Sequence, residues 1–395
     1  MLRFLTAGES HGPMLSLIIE GLPSNLAIDI DMVNQELAAR QKGYGRGGRM
    51  LIEKDRAEVI SGVRFGKTIG SPLSIIIKNR DWENWLDDMA VFGEKNVSRD
   101  LKKPRPGHAD LTGLWKYDLD EARNILERAS ARETTTRVAV GAIAGCLLKA
   151  VGINAGNHVR CIGNSALPDD MDVSVADMMR MASQSDVSCV DDATAEKMRK
   201  EIDAAKAAGD TLGGIVEVGV ENIMPGLGSH VHWDRRLDGR LAQAVMSIPA
   251  FKGVEIGQGR FAASHPGSMV HDQIEPLEKG FVHRLSNNAG GLEGGMTNGE
   301  PLLIKGYMKP IPTLMKPLSS VDLETGEKAV AAAERSDTTA VPAAGVVAEA
   351  MVKWVIAEAV LDKFSSDNMS DLEASVNQYK KRLIKGGFAP CMWSK

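Results

Sequence analysis

The residues best equipped for chemistry fall into short runs punctuated by glycine or proline. The run Arg40 to Arg49, RQKGYGRGGR, interleaves Arg40, Lys42, Arg46 and Arg49 with Gly43, Gly45, Gly47 and Gly48. Glycine lets backbone amides approach an anion closely, and a guanidinium fork offers paired donors to phosphate or carboxylate. The run therefore suits a small anionic ligand, with a solvated flexible loop as the alternative when it is taken alone. Gly43, Gly45 and Gly48 match G-x-G-x-x-G, but a helix-like segment precedes them where a dinucleotide site needs a strand, so the match is set aside. His11 in GESHG and His108 in RPGHAD could exchange protons near neutral pH, or could be structural hydrogen-bonding groups. Ser10 adjoins His11, yet no G-x-S-x-G elbow is present, which argues against a serine hydrolase. His230 and His232 with Asp234 have ligand-type atoms, but no further donor at a recognised metal spacing accompanies them, and no metal is expected.

Three further runs carry charge. In RASARETTTR, Arg128 and Arg132 would share one face of a continuous helix, with Glu133 able to fix one of them; a salt-bridged surface helix is the alternative. KPIPT, Lys309 to Thr313, is a proline-stiffened loop with a cation and a hydroxyl, suited to a planar or phosphorylated ligand. Arg335, Ser336 and Asp337 put a guanidinium and a carboxylate just before a long apolar helix, where ordinary capping is the alternative.

The elements that must position these residues are mixed. Alternation predicts strands at Met14–Glu20, Ala57–Val63, Leu73–Lys78, Ile215–Val220 and Leu302–Tyr307. Helical periodicity predicts Asp31–Gln41, an interruptible Asp120–Ala150, Ala193–Ala208, Asp234–Ser247, Ala343–Phe364 and Asp371–Lys385. Leu167–Gly209 reads as polar, helical and peripheral. Gly66, Gly70, Pro72, Leu73 and Ile75 recur at identical spacing as Gly295, Gly299, Pro301, Leu302 and Ile304. Either half the chain is duplicated or two turns use the same residues for the same backbone reasons. No low-complexity linker separates the copies, so residues 1–395 are read as one interwoven domain.

A chain of 395 residues with 43% hydrophobic residues can close a sizeable core. Its net charge of -5 gives no field for nucleic acid or anionic membranes, so any basic site is local. Cys146, Cys161, Cys189 and Cys391 are scattered without a C-x-x-C pair, which fits a reducing cytoplasm. The first residues lack a signal-peptide core, and no apolar run reaches the roughly 18 residues of a membrane span.

Taken in order, GESHG, GRGGRM with EKD, SGVRFGKTIGSPL, RPGHADLTG, ARETTTRVAVGAIA, SIPAFKGVEIG, NNAGGLEGG, KPIPTL and RSDTTAVPAA resemble the chorismate synthase family over nearly the whole chain. The resemblance implies an α+β fold, a β-α-β sandwich with internal pseudo-symmetry, and a cytoplasmic homotetramer. It implies a lyase that removes phosphate and the C6 proton from 5-enolpyruvylshikimate 3-phosphate by anti-1,4-elimination, giving chorismate at the last common step to the aromatic amino acids. Reduced FMN is the implied cofactor, with no net redox change, and NADPH is its reductant in bifunctional relatives.

By the same resemblance His11 lies near the flavin pyrimidine edge, His108 donates to the departing phosphate, and Asp337 with Ser10 relays the proton. Arg40, Arg46, Arg49, Arg132 and Arg335 clamp the substrate. Flavin contacts fall on Arg128, Ala129, Ser130, Pro249, Ala250, Gly294, Lys309, Pro310, Ile311, Pro312, Thr313 and again Arg335. Two positions depart from the common pattern: Pro249 stands where relatives more often carry an amide, and Ser336 where many carry histidine. The competing readings are a non-catalytic RNA- or phosphometabolite-binding module, which 5% aromatics and a lone Tyr44 in the Arg loop disfavour, and a flavin-dependent oxidoreductase.

Overall fold

Period-two alternation turns Leu15, Leu17 and Ile19 of β2 (Met14–Glu20) to a buried face and Ile18 and Glu20 outward. The structure, a computed structural model, describes residues 1–47, 52–94, 96, 98–277, 281–332 and 337–388. With β1 (Arg3–Ala7), β3 (Glu58–Ser61) and β4 (Leu73–Lys78), β2 forms a four-stranded antiparallel sheet of order β1-β2-β4-β3. A five-stranded sheet has the order β8-β9-β7-β5-β6, from β5 (Asn154–Ile162), β6 (Ser165–Ala166), β7 (Gly214–Glu221), β8 (Phe251–Ile256) and β9 (Leu302–Met308). The helices used below are α1 (Ile30–Gln41), α2 (Asp110–Tyr117), α3 (Arg123–Ala129), α4 (Thr134–Ala150), α5 (Val175–Arg180), α6 (Asp192–Ala207), α7 (Leu237–Met246) and α8 (Val341–Phe364).

The core lies between the sheets, around α4 and α8. Both are apolar on nearly every side, as helices buried on all faces must be. Trp354 of α8 reaches across to Phe4 of β1, their rings edge to face at 4.8 Å. A Cβ at Gly141 would stand 2.3 Å from the Cα of Ala350, and one at Gly145 would stand 3.5 Å from the Lys353 side chain. The contacts advance in the same direction along both helices, so α4 and α8 run parallel and their N-termini emerge at one end.

The glycine-proline echo is structural. Sheet order β1-β2-β4-β3 repeats as β5-β7-β9-β8, and the pairing Ile19 to Leu73 recurs as Val220 to Leu302. In the hairpin before β4, Thr68 Oγ1 accepts from Leu26 N at 2.9 Å and donates to Pro23 O at 2.6 Å. Before β9, Thr297 Oγ1 accepts from Leu227 N at 2.9 Å and donates to Met224 O at 2.7 Å. Gly66 and Gly295 turn these hairpins at φ +76° and +78°, where a side chain is strained. A second echo, Arg-x-x-Thr-Thr-x-Val, begins at Arg132 and again at Arg335 in the sequence, ahead of α4 and α8.

Several sequence expectations need correction. The strand read as Ala57–Val63 ends at Ser61, because Gly62 takes φ +84° and the register shifts between Val59 and Ser61. The helix read from Asp120 is broken at Ser130, whose extended backbone (ψ 145°) separates α3 from a 3-10 turn, Ala131–Glu133, that leads into α4. The helix read as Asp234–Ser247 begins at Leu237, after a 3-10 turn at Trp233–Arg235. β1, β5 and β8 escaped the alternation pattern. Leu167–Gly209 is helical but only partly peripheral: α5 sets Val175 and Met178 against Gly156 and Gly219 of the five-stranded sheet, while Met198 and Ile202 of α6 enter the core.

The parallel helix contact gives a direct test. Gly141→Val should lower unfolding stability by about 1–3 kcal/mol or more through overpacking against Ala350, read by chemical denaturation. An unchanged midpoint would contradict the contact.

Candidate active site

Val33, Leu37 and Arg40 lie on one face of α1, and burying that apolar stripe carries the Arg40 guanidinium inside with it. Arg40 Nη2 donates to Asp55 Oδ2 at 3.1 Å and Nη1 to Thr134 Oγ1 at 3.4 Å. From the turn after α3, Arg132 Nη1 donates to Asp55 Oδ1 at 2.6 Å and Nε to Asn79 Oδ1 at 2.8 Å. One carboxylate thus lies between two guanidiniums, which are 3% and 4% exposed. Burial pushes Arg40 down to about 10; Asp55 opposes that shift, while the charges of Arg132 and Arg46 add to it.

The cluster is rich in donors. Among the described residues Arg40 Nε and Arg132 Nη2, both buried, find no hydrogen-bond partner, although Arg132 Nη2 lies 3.6 Å from Glu53 Oε2. The N-terminus of α4 begins at Thr134, beside both arginines, and adds its positive end. Buried N–H groups without acceptors, next to a helix N-terminus, fit phosphate or carboxylate oxygens.

Asn79 ties the GESHG loop to this cluster, its Nδ2 donating to Glu9 O at 3.1 Å and Gly12 O at 2.6 Å. Ser10 is buried and its Oγ accepts from Ser130 Oγ at 3.1 Å. The Nδ1 of His11 lies 2.9 and 3.1 Å from the two carboxylate oxygens of Glu127, and its backbone N–H donates to Glu127 Oε2 at 2.7 Å. Burial pushes the Glu127 carboxyl up, but His11 and Arg123 together hold it below the usual carboxylate range. Trp85 lies on the His11 ring with centroids 4.0 Å apart.

His108 stands on the turn before α2. Its Nδ1 contacts Asp110 Oδ1, and Arg105 grips the same carboxylate through Nε at 2.9 Å and Nη2 at 3.1 Å. Burial raises Asp110, yet the hydrogen bonds of His108 and Arg105 hold it well below the carboxylate range. Arg105 Nη1 also donates to Thr313 Oγ1 at 3.1 Å, joining this turn to KPIPT. In that loop Lys309 Nζ donates to Gly107 O, and burial, with the charge of Lys252, pushes the Lys309 ammonium down. Lys309 N donates to Ala250 O at 2.9 Å. Ala250 holds φ +72°, a conformation that costs a residue with a side chain about 1–3 kcal/mol.

These contacts close into a ring. Arg46 Nη1 lies 3.0 Å from Asp337 Oδ2, and Gly47 N donates to Asp337 Oδ1 at 2.6 Å. Leu212 N donates to Thr338 O at 2.9 Å while the neighbouring Thr211 Oγ1 donates to Ile311 O at 2.7 Å, so Asp337 and KPIPT hang from consecutive residues. On the far side Arg137 Nη1 donates to Ser247 Oγ at 2.7 Å, just before Pro249 and Ala250. Arg137 pairs with Glu133, whose N–H donates to Ser130 O at 3.1 Å. The described part of the glycine-rich loop is anchored rather than free: Tyr44 N donates to Asp186 O at 2.7 Å and Thr338 N to Gly45 O at 2.8 Å.

Ser10, His11, Arg40, Arg46, His108, Ser130, Arg132, Ala250, Lys309, Ile311, Thr313 and Asp337 therefore belong to one connected arrangement; Ala129, Pro249, Pro310 and Pro312 adjoin its members in the chain. Among the described residues Gly294 stands apart, and Arg128 reaches the arrangement only through Gly8 O of the GESHG loop. Arg128 does not share a face with Arg132, because the break at Ser130 turns it outward to Thr6 O, Thr6 Oγ1 and Gly8 O. Gly294 precedes Gly295, whose O accepts from Leu237 N at 2.9 Å at the start of α7, the opposite end of that helix from Ala250, roughly 15 Å away at 1.5 Å per residue. Arg49, Arg335 and Ser336 lie outside the described residues. Asp55, Asn79, Arg105, Asp110 and Glu127 were not singled out from sequence, although Arg105 and Asp110 flank His108 in RPGHAD and Asp55 ends EKD.

The family model for chorismate synthase matches residues 2–361. The chain belongs to the chorismate synthase family. A chorismate synthase of Sulfurihydrogenibium sp. (strain YO3AOP1) is 54% identical over 389 residues, covering 97% of this chain and 100% of the relative. One of Brevibacillus brevis (strain 47 / JCM 6285 / NBRC 100599) is 54% identical over 382 residues, covering 96% and 98%. A solved structure, "Crystal Structure of Chorismate Synthase", superimposes with a TM-score of 0.79 at 42% identity, over 97% of this chain and 98% of that one. The fold is the α+β sandwich of this family, and members of the family are lyases acting on a small molecule.

Removing the shared carboxylate should expose the strain in the arginine pair. Asp55→Ala is expected to lower stability by about 3–5 kcal/mol, since it takes from Arg40 its carboxylate and leaves Arg132 only Glu53 at 3.6 Å. Added phosphate should restore part of that loss in the same denaturation experiment. A loss below about 1 kcal/mol would contradict the buried pairing.

Proposed function

We propose that this chain converts 5-enolpyruvylshikimate 3-phosphate to chorismate in the shikimate pathway to the aromatic amino acids. The C6–H and C3–O bonds break, the ring's one double bond becomes two in conjugation, and phosphate leaves with the bonding pair, so no net oxidation occurs. The observation that carries this reading is the closed ring of contacts, which joins both histidines, Asp337 and KPIPT to the buried, donor-rich pair Arg40 and Arg132.

In this reading Arg40, Arg46 and Arg132, with Arg49 and Arg335 from the adjoining sequence, clamp the phosphate and carboxylates of the substrate. His108 gives a proton to the departing phosphate oxygen, and Asp337 accepts one at its carboxylate. Arg46 and Asp337 are bonded to one another at 3.0 Å, so an anion bound by Arg46 loosens Asp337 at the moment when it is needed. Ser10 would steady the loop on which His11 approaches the cofactor. Reduced FMN, when bound, would lend electron density to the breaking bond and take up the C6 proton. Ser130, Ala250 and Lys309 to Thr313 would hold it, and the strained Ala250 backbone and proline-set loop suit a rigid planar group. NADPH would serve only to keep the flavin reduced.

The same reading places the protein in the cytoplasm as a homotetramer. Among the described residues no helix is long and apolar enough to cross a membrane, and Cys146, Cys161 and Cys189 are free thiols. Leu5, Ile18 and Ile60 lie exposed on the outer face of the four-stranded sheet, whereas the equivalent face of the other sheet carries α5. A second copy would cover that apolar face.

The decisive assay is anaerobic turnover with substrate, catalytic reduced FMN and no NADPH. Phosphate and chorismate should appear in equal amounts without stoichiometric use of reductant; consumption of one reductant per turnover would instead indicate an oxidoreductase. His108→Ala and Asp337→Ala should lose turnover by about 100-fold or more while flavin binding is retained, because their work is proton transfer. Near-normal rates would remove both from the mechanism. Arg46→Ala should raise the substrate Kd by about tenfold or more by removing one guanidinium fork, measured by calorimetric titration; an unchanged Kd would remove Arg46 from the clamp.

A further inference from the structure

We propose that Glu127 is a positioning residue that fixes the tautomer of His11, and that Asp110 does the same for His108, so that each imidazole presents Nε2 to the ligand. An ionised carboxylate can only accept. With both oxygens of Glu127 at 2.9 and 3.1 Å from His11 Nδ1, that nitrogen must carry the hydrogen. Arg123 Nη1 donates to Glu127 Oε1 at 3.2 Å, which keeps the carboxylate ionised inside the protein and leaves the proton on the ring. The ring cannot swing away, because Trp85 covers one face and is itself held by Asp81 Oδ2 at 3.1 Å and by the Arg99 guanidinium 4.0 Å from its centre.

At His108 two partners compete for Nδ1, which cannot donate and accept at once. Arg105 Nη2 stands 3.1 Å away, but Asp110 Oδ1 is closer. Arg105 Nη2 has its own acceptor in Asp110 Oδ1 at 3.1 Å, so the carboxylate takes the Nδ1 hydrogen. Two loops far apart in sequence thus arrive at one device: a buried carboxylate, neutralised by an arginine, bonded to Nδ1. A carboxylate in that position orients the imidazole for proton exchange at its other nitrogen.

The orientation claim is independent of the lyase reading, whereas its use in turnover rests on it. The test uses full-length protein with 15N-labelled histidine at about pH 8.5, roughly two units above the ordinary imidazole value. Two-bond 1H–15N correlations distinguish the tautomers, and the His11 and His108 signals are assigned by their loss in His11→Asn and His108→Asn. Both should show the Nδ1–H form. Glu127→Gln should shift His11 toward the Nε2–H form, because the amide can also donate, and should lower kcat by about tenfold or more with KM within about twofold. Glu127→Asp should recover part of that loss, and Asp110→Asn should act on His108 in the same way. An Nε2–H tautomer in the unaltered protein, or a Glu127→Gln variant with tautomer and kcat both unchanged, would overturn the proposal. A wild type with the expected tautomers but no lyase activity would sink the proposed function and leave the positioning role standing.

Discussion

Asp55, held between the guanidiniums of Arg40 and Arg132, is the interaction on which the arrangement at this end of the fold depends. Burying two like charges is costly, and it is offset by two buried carboxylates, Asp55 between the guanidiniums and Glu53 at 3.6 Å from Arg132 Nη2. Among the described residues Arg40 Nε and Arg132 Nη2 find no hydrogen-bond acceptor, and the first turn of α4 presents positive potential beside them. What remains is a set of fixed, buried donors whose hydrogen bonds are incomplete. A ligand with several anionic groups would supply the missing acceptors without reorganising the donors, which is the condition under which electrostatics contributes most to catalysis.

The two-fold repeat of the fold explains why so many distant segments meet there. Helices α4 and α8 can run parallel because Gly141 lets the backbones touch at Ala350, and their shared direction brings both N-termini to one end of the sandwich. The loops that follow β4 and β9, carrying Asn79 and Lys309, are then related positions in the two halves. The halves differ in their insertions: the second half inserts α5 and α6 between β5 and β7, where the first half has the short GESHG loop between β1 and β2. The site is thus built on a repeated frame with unlike loops.

Much of the frame was legible in the sequence, because β2, β4, β7 and β9 alternate cleanly and the glycines of the two hairpins are demanded by positive φ. The charged runs stand out in the sequence too, but each taken alone also fits a solvated loop, a structural histidine, a surface helix or a cap, and only the ordered resemblance joins them. What compensates them does not stand out. Asp55, Asn79 and Glu127 find their partners 77, 53 and 116 residues away, and no local period reports a carboxylate that will be buried against a distant guanidinium. Arg128 shows the converse failure: helical spacing gave it the same face as Arg132, but the extended backbone at Ser130 rotates the two apart. The break has a local mark that the periodicity overrode: Ser130 caps the following turn, its Oγ accepting from Arg132 N, with Glu133 three residues on.

The most direct test of the account is a crystal structure of the protein with 5-enolpyruvylshikimate 3-phosphate and oxidised FMN. The account predicts phosphate or carboxylate oxygens within hydrogen-bonding distance of Arg40 and Arg132, with the flavin ring bordered by Ala250 and the Lys309 to Thr313 loop. Substrate anions bound elsewhere, with the Arg40 and Arg132 donors still turned to protein alone, would contradict it.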